Sequence, residues 1–440
     1  MIAIPQKFLK QKMNIDKEFY QSIDCDALFK KIAMTQDPAH MVQLLFAEFP
    51  LAQFWRFSVD GKKQMKDSWP GFEAREPKYL QGMYSVWLAM LEEINTPLNS
   101  RGLLNYHFIA TQHVEMKRLP DELKGCWRKE DVHFGLLDDN ASVEGILALL
   151  DRIEIGDDTF LLARDNVSLV EEIEIEQYDI INSHTYQYVL NDKIDFLVRK
   201  RGMIQEDPKT KECAKRLLAE FILKHNYSFR TQQHEIYKLD SSETAIEIVT
   251  PTFVVEEFLQ DRVDELIRLH YKRMTIANDS EQKLSIIVDT VQKLEQLHPF
   301  KDANCRIFVM VILNKLLLEN GFPPCMLYDP NCFDAFSKEQ LIHEVKVGMK
   351  RFQDVLLNDK QLENAPTVDV LSHEMDIYFK KINEMLRQKM EEILSGNLKI
   401  EQTFLPTFNI SCTEKHDVPG IPEQGNKSGL NEKIVQLTIT

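Results

Sequence analysis

Glycine is scarce in this chain, with 15 residues in 440. So few chain-reversing positions leave little room for a turn-rich β architecture and favour helices. No stretch approaches 18 consecutive apolar residues, which excludes a membrane-spanning helix. The seven cysteines form no Cys-x-x-Cys pair and no Cys/His ligand spacing, so a zinc site has no support. Their odd number in a long chain points to reduced thiols and a reducing cytosol. Residues 1–13 carry lysines but no apolar core, so no secretory signal is expected there. There is no internal repeat and no low-complexity tract. Positive charge is also in deficit: 53 Lys and Arg face 69 Asp and Glu, a net −16. That balance speaks against nonspecific binding to nucleic acid or an anionic membrane.

What is present is a soluble, globular composition, 44% hydrophobic and 28% charged, long enough for two or three domains. Residues 78–94 place Leu80, Met83, Val86, Trp87, Met90 and Leu91 at helical spacing. Helices are also expected at 105–116, 142–155, 209–225, 253–274, 284–297, 340–356 and 371–394. The last of these sets Leu371, Met375, Tyr378, Ile382, Met385 and Leu386 in a seam suited to a helical hairpin or short coiled coil. Residues 307–318 are apolar all round, as in a helix at the centre of a bundle. Asn320-Gly321 and Pro323-Pro324 stop it. Between helices, 227–237 alternates loosely, 239–243 supplies turn residues and 245–249 is β-branched, which predicts a hairpin.

The densest chemistry is at 298–306: His-Pro-Phe-Lys-Asp-Ala-Asn-Cys-Arg. An imidazole, a carboxylate, an amide and a guanidinium fall on one short loop between two buried helices. The unpaired N–H groups and positive dipole end of the second helix would face a bound anion. These residues resemble the motif of the Fic family, His-x-Phe-x-(Asp/Glu)-Gly-Asn-Gly-Arg-x-x-Arg, at His298, Phe300, Asp302, Asn304 and Arg306. The Asp-Ala-Asn variant is similar to the Doc kinase branch and the phosphocholine-transferring branch. The resemblance extends in element order, helix, hairpin, two helices, loop and buried helix, over about 205–355.

The resemblance implies a mainly α fold: a Fic-type helical bundle with a β-hairpin flap and helical additions at both ends. Its parts would be an N-terminal helical region (1–155), a mixed connection (156–204), the catalytic core (205–357), a C-terminal helix (358–395) and a tail or small hairpin (396–440). It implies transfer of a nucleotide-derived group, AMP from ATP first and phosphocholine from CDP-choline as the alternative, onto a hydroxyl of a protein. The target would lie along the flap at about 233–250. His298 would be the general base, Asp302 the Mg²⁺ ligand, and Ala303, Asn304, Cys305 and Arg306 the phosphate cradle. Phe300 would pin the loop to the core. By analogy the protein would act in the cytoplasm, or as a bacterial effector secreted into a host cell.

Blander roles stand beside these. His298 can be a core histidine, Asp302 a helix N-cap, and Cys305 a packing residue rather than a nucleophile. Three positions depart from the pattern. Ala303 replaces a glycine, which is tolerable if its φ stays negative. Cys305 replaces another and narrows the cradle. Val309 replaces the arginine that in the family meets the γ-phosphate of ATP, a loss that a two-phosphate donor would not feel. Asn140-Ala-Ser-Val-Glu144-Gly145 is the string closest to the family's inhibitory (Ser/Thr)-x-x-x-Glu-(Gly/Asn), without its Ser/Thr. Gly125-Cys-Trp-Arg128 resembles the family's Gly-x-Tyr-Arg but lies far upstream and reads as structural. The competing function class is a catalytically inactive binding module on the same fold.

Overall fold

The structure is a computed structural model. It describes residues 37–60, 67–116, 118–129, 141–154, 255–357 and 373–395. It also describes short strand pieces between 132 and 250 and single helical residues at 212, 216, 219, 220 and 223. The chain divides into two units, Met1–Asn397 and Leu398–Thr440, and every described residue belongs to the first. The readings made for 396–440 and for most of 156–204 lie outside the described residues.

The fold is mainly helical. Ten α-helices are described: α1 (Pro38–Ala47), α2 (Ser68–Arg75), α3 (Tyr79–Glu92), α4 (Ser100–Thr111), α5 (Val143–Glu154), α6 (Val255–Met274), α7 (Ser280–Leu297), α8 (Leu313–Glu319), α9 (Lys338–Leu357) and α10 (His373–Leu394). Local chemistry starts several of them. The Asn99 side chain accepts from the N–H of Gly102 at 2.9 Å, and Asp279 accepts from Gln282 at 2.7 Å. Each satisfies one of the four N–H groups that a helix start leaves without a partner.

The apolar segment after the motif loop sits at the centre. It packs against α7, α3 and α4, and its α8 turn also meets α1. Ile307, Phe308, Val311, Ile312, Leu313, Leu316, Leu317 and Leu318 are all fully buried, and Gly321 ends the run at φ 83°. Its first two turns, Arg306–Ile312, are a π-helix, not the α-helix expected there. The N–H of Leu313 reaches back to the Phe308 carbonyl, while the Met310 carbonyl accepts from the Asn314 side chain at 3.0 Å. Sequence offered no warning: a run apolar on all sides has no face from which to read a period.

One further expectation is corrected. Among the described residues, 247–250 do not pair with the strand pieces of 227–237. The first stretch closes on itself, Phe229–Gln232 antiparallel to Glu235–Lys238. Glu247–Thr250 instead joins Val132–Gly135 and Leu161–Leu162 as the middle strand of three. A two-residue turn beats the longer loop because ends close in sequence cost less entropy to join. The seam of α10 is a packing face. Its buried Ile382, Leu386, Met390 and Ile393 face the body of the molecule, against α1 and α3. No described helix is long and apolar enough to cross a membrane.

The central position of Phe308 sets an expectation. Phe308→Ala should lower unfolding free energy by about 3–5 kcal/mol. Ile377→Ala, at a side chain 53% exposed, should change it by less than about 0.5 kcal/mol. Urea midpoints of the two variants against wild type measure both.

Candidate functional site

The loop begins where α7 ends. His298 caps that helix in the left-handed region, φ 43° and ψ 58°. The chain therefore leaves the helix axis abruptly, and the carbonyls of His298 and Pro299 fall outside any helical ladder. Arg128 takes both: its Nε donates to the His298 carbonyl and its backbone N–H to the Pro299 carbonyl, each at 2.8 Å. Arg128 is 1% exposed.

Phe300 is the anchor that the sequence suggested. Its ring is fully buried and stacks on His107 at 4.0 Å and 5°, with Trp127 and Phe308 at 5.2 and 5.6 Å. Around it the loop closes on itself. The Asn304 amide oxygen accepts from the Phe300 N–H and its NH₂ donates to the Phe300 carbonyl, both at 2.9 Å. The side chain of Asn304 is thus committed to the loop, and it is the N–H of Asn304, with those of Cys305 and Arg306, that opens the helix.

His107 closes the back of the loop. Its Nδ1 receives the Gly125 N–H at 2.9 Å, so that nitrogen is the acceptor. The proton is therefore on Nε2, which donates to the Asp302 carbonyl at 3.2 Å. Burial, and then the charges of Arg306 and Lys124, pull the His107 pKa down to about 3 against the pull of that carbonyl. Nothing in the sequence points to His107 as a part of the site, and the Gly125–Arg128 string, which reads there as structural, braces the loop through the His107 ring and the His298 and Pro299 carbonyls. The faint Gly-x-x-Arg likeness was the available signal.

The remaining predicted residues divide. Asp302 accepts from the N–H of the next residue, Ala303, at 2.6 Å through Oδ1, not from the second or third N–H of the helix as an N-cap would. Ala303 does not keep a negative φ: it stands at +65°, where a side chain costs roughly 1–2 kcal/mol. The Asp302 contacts and the Asn304 clamp on either side impose that conformation. Arg306 lies over the Tyr79 ring at 4.8 Å and pairs with Glu76 at 2.6–2.7 Å. Glu144, the acid of the inhibitory-type string, pairs instead with Arg216 at 3.0 Å. The neighbouring Gly145 is a packing residue, because a Cβ there would stand 1.7 Å from the Ala335 carbonyl oxygen. Cys305 is no nucleophile: burial, and then the nearby Glu295 and Asp334 carboxylates, hold its thiol well above the ordinary range.

His298 itself is 9% exposed. Burial, with the Arg128 charge adding to it, lowers its pKa to about 4. At neutral pH the ring is uncharged and able to accept a proton. Its Nε2 lies 3.8 Å from Glu295 Oε1. Among the described residues, Glu295, His298 and Asp334 bring ligand-type atoms within 4.8 Å of one another. Asp302 is outside that group.

Over 196 residues the chain is 29% identical to phosphocholine transferase AnkX of Legionella pneumophila subsp. pneumophila. The match takes in 40% of this chain and 20% of AnkX, so the chain spans about a fifth of that relative's length. No protein-family profile matches the chain.

The buried, neutral His107 gives the site a pH signature. Its pKa is lower folded than unfolded, so between about 6.5 and 3 the unfolded chain binds more protons. Stability contributed by this group is complete above pH 6.5 and falls on acidification, by up to about 1.4 kcal/mol per pH unit. His107→Asn should be less stable than wild type at pH 7 and lose less on going to pH 5. Urea melts at the two pH values would refute this if the two proteins lost stability in parallel.

Proposed function

We propose that this chain is a Fic-type transferase that moves a phosphate-linked group from a nucleotide donor onto a hydroxyl side chain of a protein. The observation that carries the reading is the loop's geometry. A neutral imidazole, fixed through its own backbone by Arg128, is joined by a pinned turn to a helical run that starts at Asn304, whose first N–H groups have no partner within the helix. Such an arrangement suits in-line transfer, where the protein supplies position and charge more than covalent chemistry. The target oxygen attacks phosphorus and its proton passes to His298. The phosphorus–oxygen bond to the departing nucleotide breaks as the new one forms.

Arg306 and the N–H groups of Asn304, Cys305 and Arg306 would hold the phosphates, and Arg306 would exchange the Glu76 carboxylate for a phosphate oxygen. Asp302 is a single part-exposed carboxylate, a donor that fits Mg²⁺ shared with donor phosphates and does not fit an all-protein cage. Mg²⁺ would there neutralise phosphate charge. The hairpin Phe229–Lys238 would offer an edge for the target segment, and action inside a host cell accords with the bacterial relative.

For the donor we favour a two-phosphate compound, CDP-choline, over ATP. Val309 is 1% exposed and its side chain belongs to the core, so no γ-phosphate contact arises from that position. The likeness to a phosphocholine transferase supports the same choice. With CDP-choline, phosphocholine would pass to the target and CMP would leave.

Incubation of the full chain with an animal-cell lysate and either CDP-choline or ATP, read by mass spectrometry, should give phosphocholine adducts and few or no AMP adducts. His298→Ala should lose at least about 100-fold of this activity with an unchanged circular dichroism spectrum. AMP adducts alone would reverse the donor assignment. Nucleotide binding with no adduct from either donor would make the chain a binding module. Asp302→Ala should lose the Mg²⁺-dependent part of nucleotide binding in calorimetry, and metal-independent binding in wild type would leave Asp302 with its bond to the Ala303 N–H alone.

A further inference from the structure

Beside His298 lie two buried acids that the transfer reading does not use. Glu295 is on the last turn of α7, 2% exposed, and Asp334 follows the short helical turn Pro330–Phe333, 7% exposed. The Glu295 oxygen Oε2 is buried and has no hydrogen-bond partner. An ionised carboxylate placed so, next to a second one, is costly unless something positive joins them. Among the described residues no lysine or arginine pairs with Glu295; the nearest partner is the His298 ring at 3.8 Å.

We propose that Glu295, His298 and Asp334 form a binding site for one divalent transition-metal ion of the Mn²⁺, Fe²⁺ or Zn²⁺ class. The donor set is one imidazole nitrogen and carboxylate oxygens, which suits those ions better than Mg²⁺. Two atoms each about 2.1 Å from a common ion stand no more than about 4.2 Å apart. The 3.8 Å separation of His298 Nε2 from Glu295 Oε1 already meets that limit. The widest separation in the group, up to 4.8 Å, closes with a small side-chain rotation. Backbone contacts hold two of the ligands. The Gln296 side chain donates to the Asp334 carbonyl at 2.7 Å, and Arg128 fixes the His298 carbonyl. The site stands on these three side chains and not on the transfer reading. If that reading also holds, an ion on His298 Nε2 takes the base out of action, and transfer falls as the site fills.

Mn²⁺ is the probe, because thiols compete for it poorly. Tag-free full chain, stripped with chelator and titrated with Mn²⁺ under electron paramagnetic resonance, should bind one equivalent. Binding should weaken at least about tenfold in Glu295→Gln and in Asp334→Asn. No bound equivalent, or full binding in both variants, would overturn the site. Should the acid variants fail to fold, electron spin echo of Mn²⁺ on wild type decides. Nitrogen modulation from an imidazole supports the site, and its absence overturns it. None of these readings depends on transfer activity, so an inactive chain that holds Mn²⁺ here would count against the proposed function alone.

Discussion

Arg128, buried against the carbonyls of His298 and Pro299, makes the two contacts on which the site's shape depends. A helix that stops in a left-handed residue turns its last carbonyls away from any helical partner. Those carbonyls lie in the interior, where an unmet acceptor costs about 1–3 kcal/mol. The charged Nε of Arg128 meets the first, in the stronger charge-assisted kind of bond, and the backbone N–H of Arg128 meets the second. With the start of the loop fixed, Phe300 enters the stack of His107, Trp127 and Phe308. Asn304 can then close the turn and set where the next helix opens. Each step needs the one before it.

Much of this was legible because it is local. The nine residues of the loop, the apolar run behind it and the Asn-Gly stop are read from neighbours in sequence. Helix positions at 79–92 and 143–154 followed from periodicity within a residue or two. The rest was not legible, for a common physical reason. Arg128 reaches His298 across 170 positions, His107 reaches Asp302 across 195 and Glu76 reaches Arg306 across 230. No local pattern encodes such a pairing. The strand partners of 247–250 were missed likewise, since a β-branched run states that it will pair but not with what.

The site also holds a conflict between stability and chemistry. His107 and His298 are buried neutral and resist protonation, whereas Glu295 and Asp334 are buried and resist ionisation. The first pair loses stability on acidification and the second pair on alkalinisation, so their pH dependences oppose one another. A core of apolar residues would avoid both costs. Carboxyls and imidazoles gathered at one loop are more readily explained by what they bind or transfer than by what they stabilise.

Ala303 bears on how strictly the loop is specified. At φ +65° glycine would be free of the roughly 1–2 kcal/mol that an alanine Cβ incurs. The conformation survives because its surroundings over-determine it: Asp302 takes the Ala303 N–H, His107 holds the Asp302 carbonyl, and Asn304 clamps the Phe300 backbone. Strain of this kind persists only where the packing leaves no alternative. The loop is therefore set by its buried supports and not by the intrinsic preference of its residues. The same supports explain why the departures at 305 and 309 are compatible with an intact loop. The Val309 side chain lies in the core, and Cys305, a protonated thiol, adds no charge at the helix start. The scaffold behind His298 thus accommodates both departures without a new charge or an exposed side chain at 309.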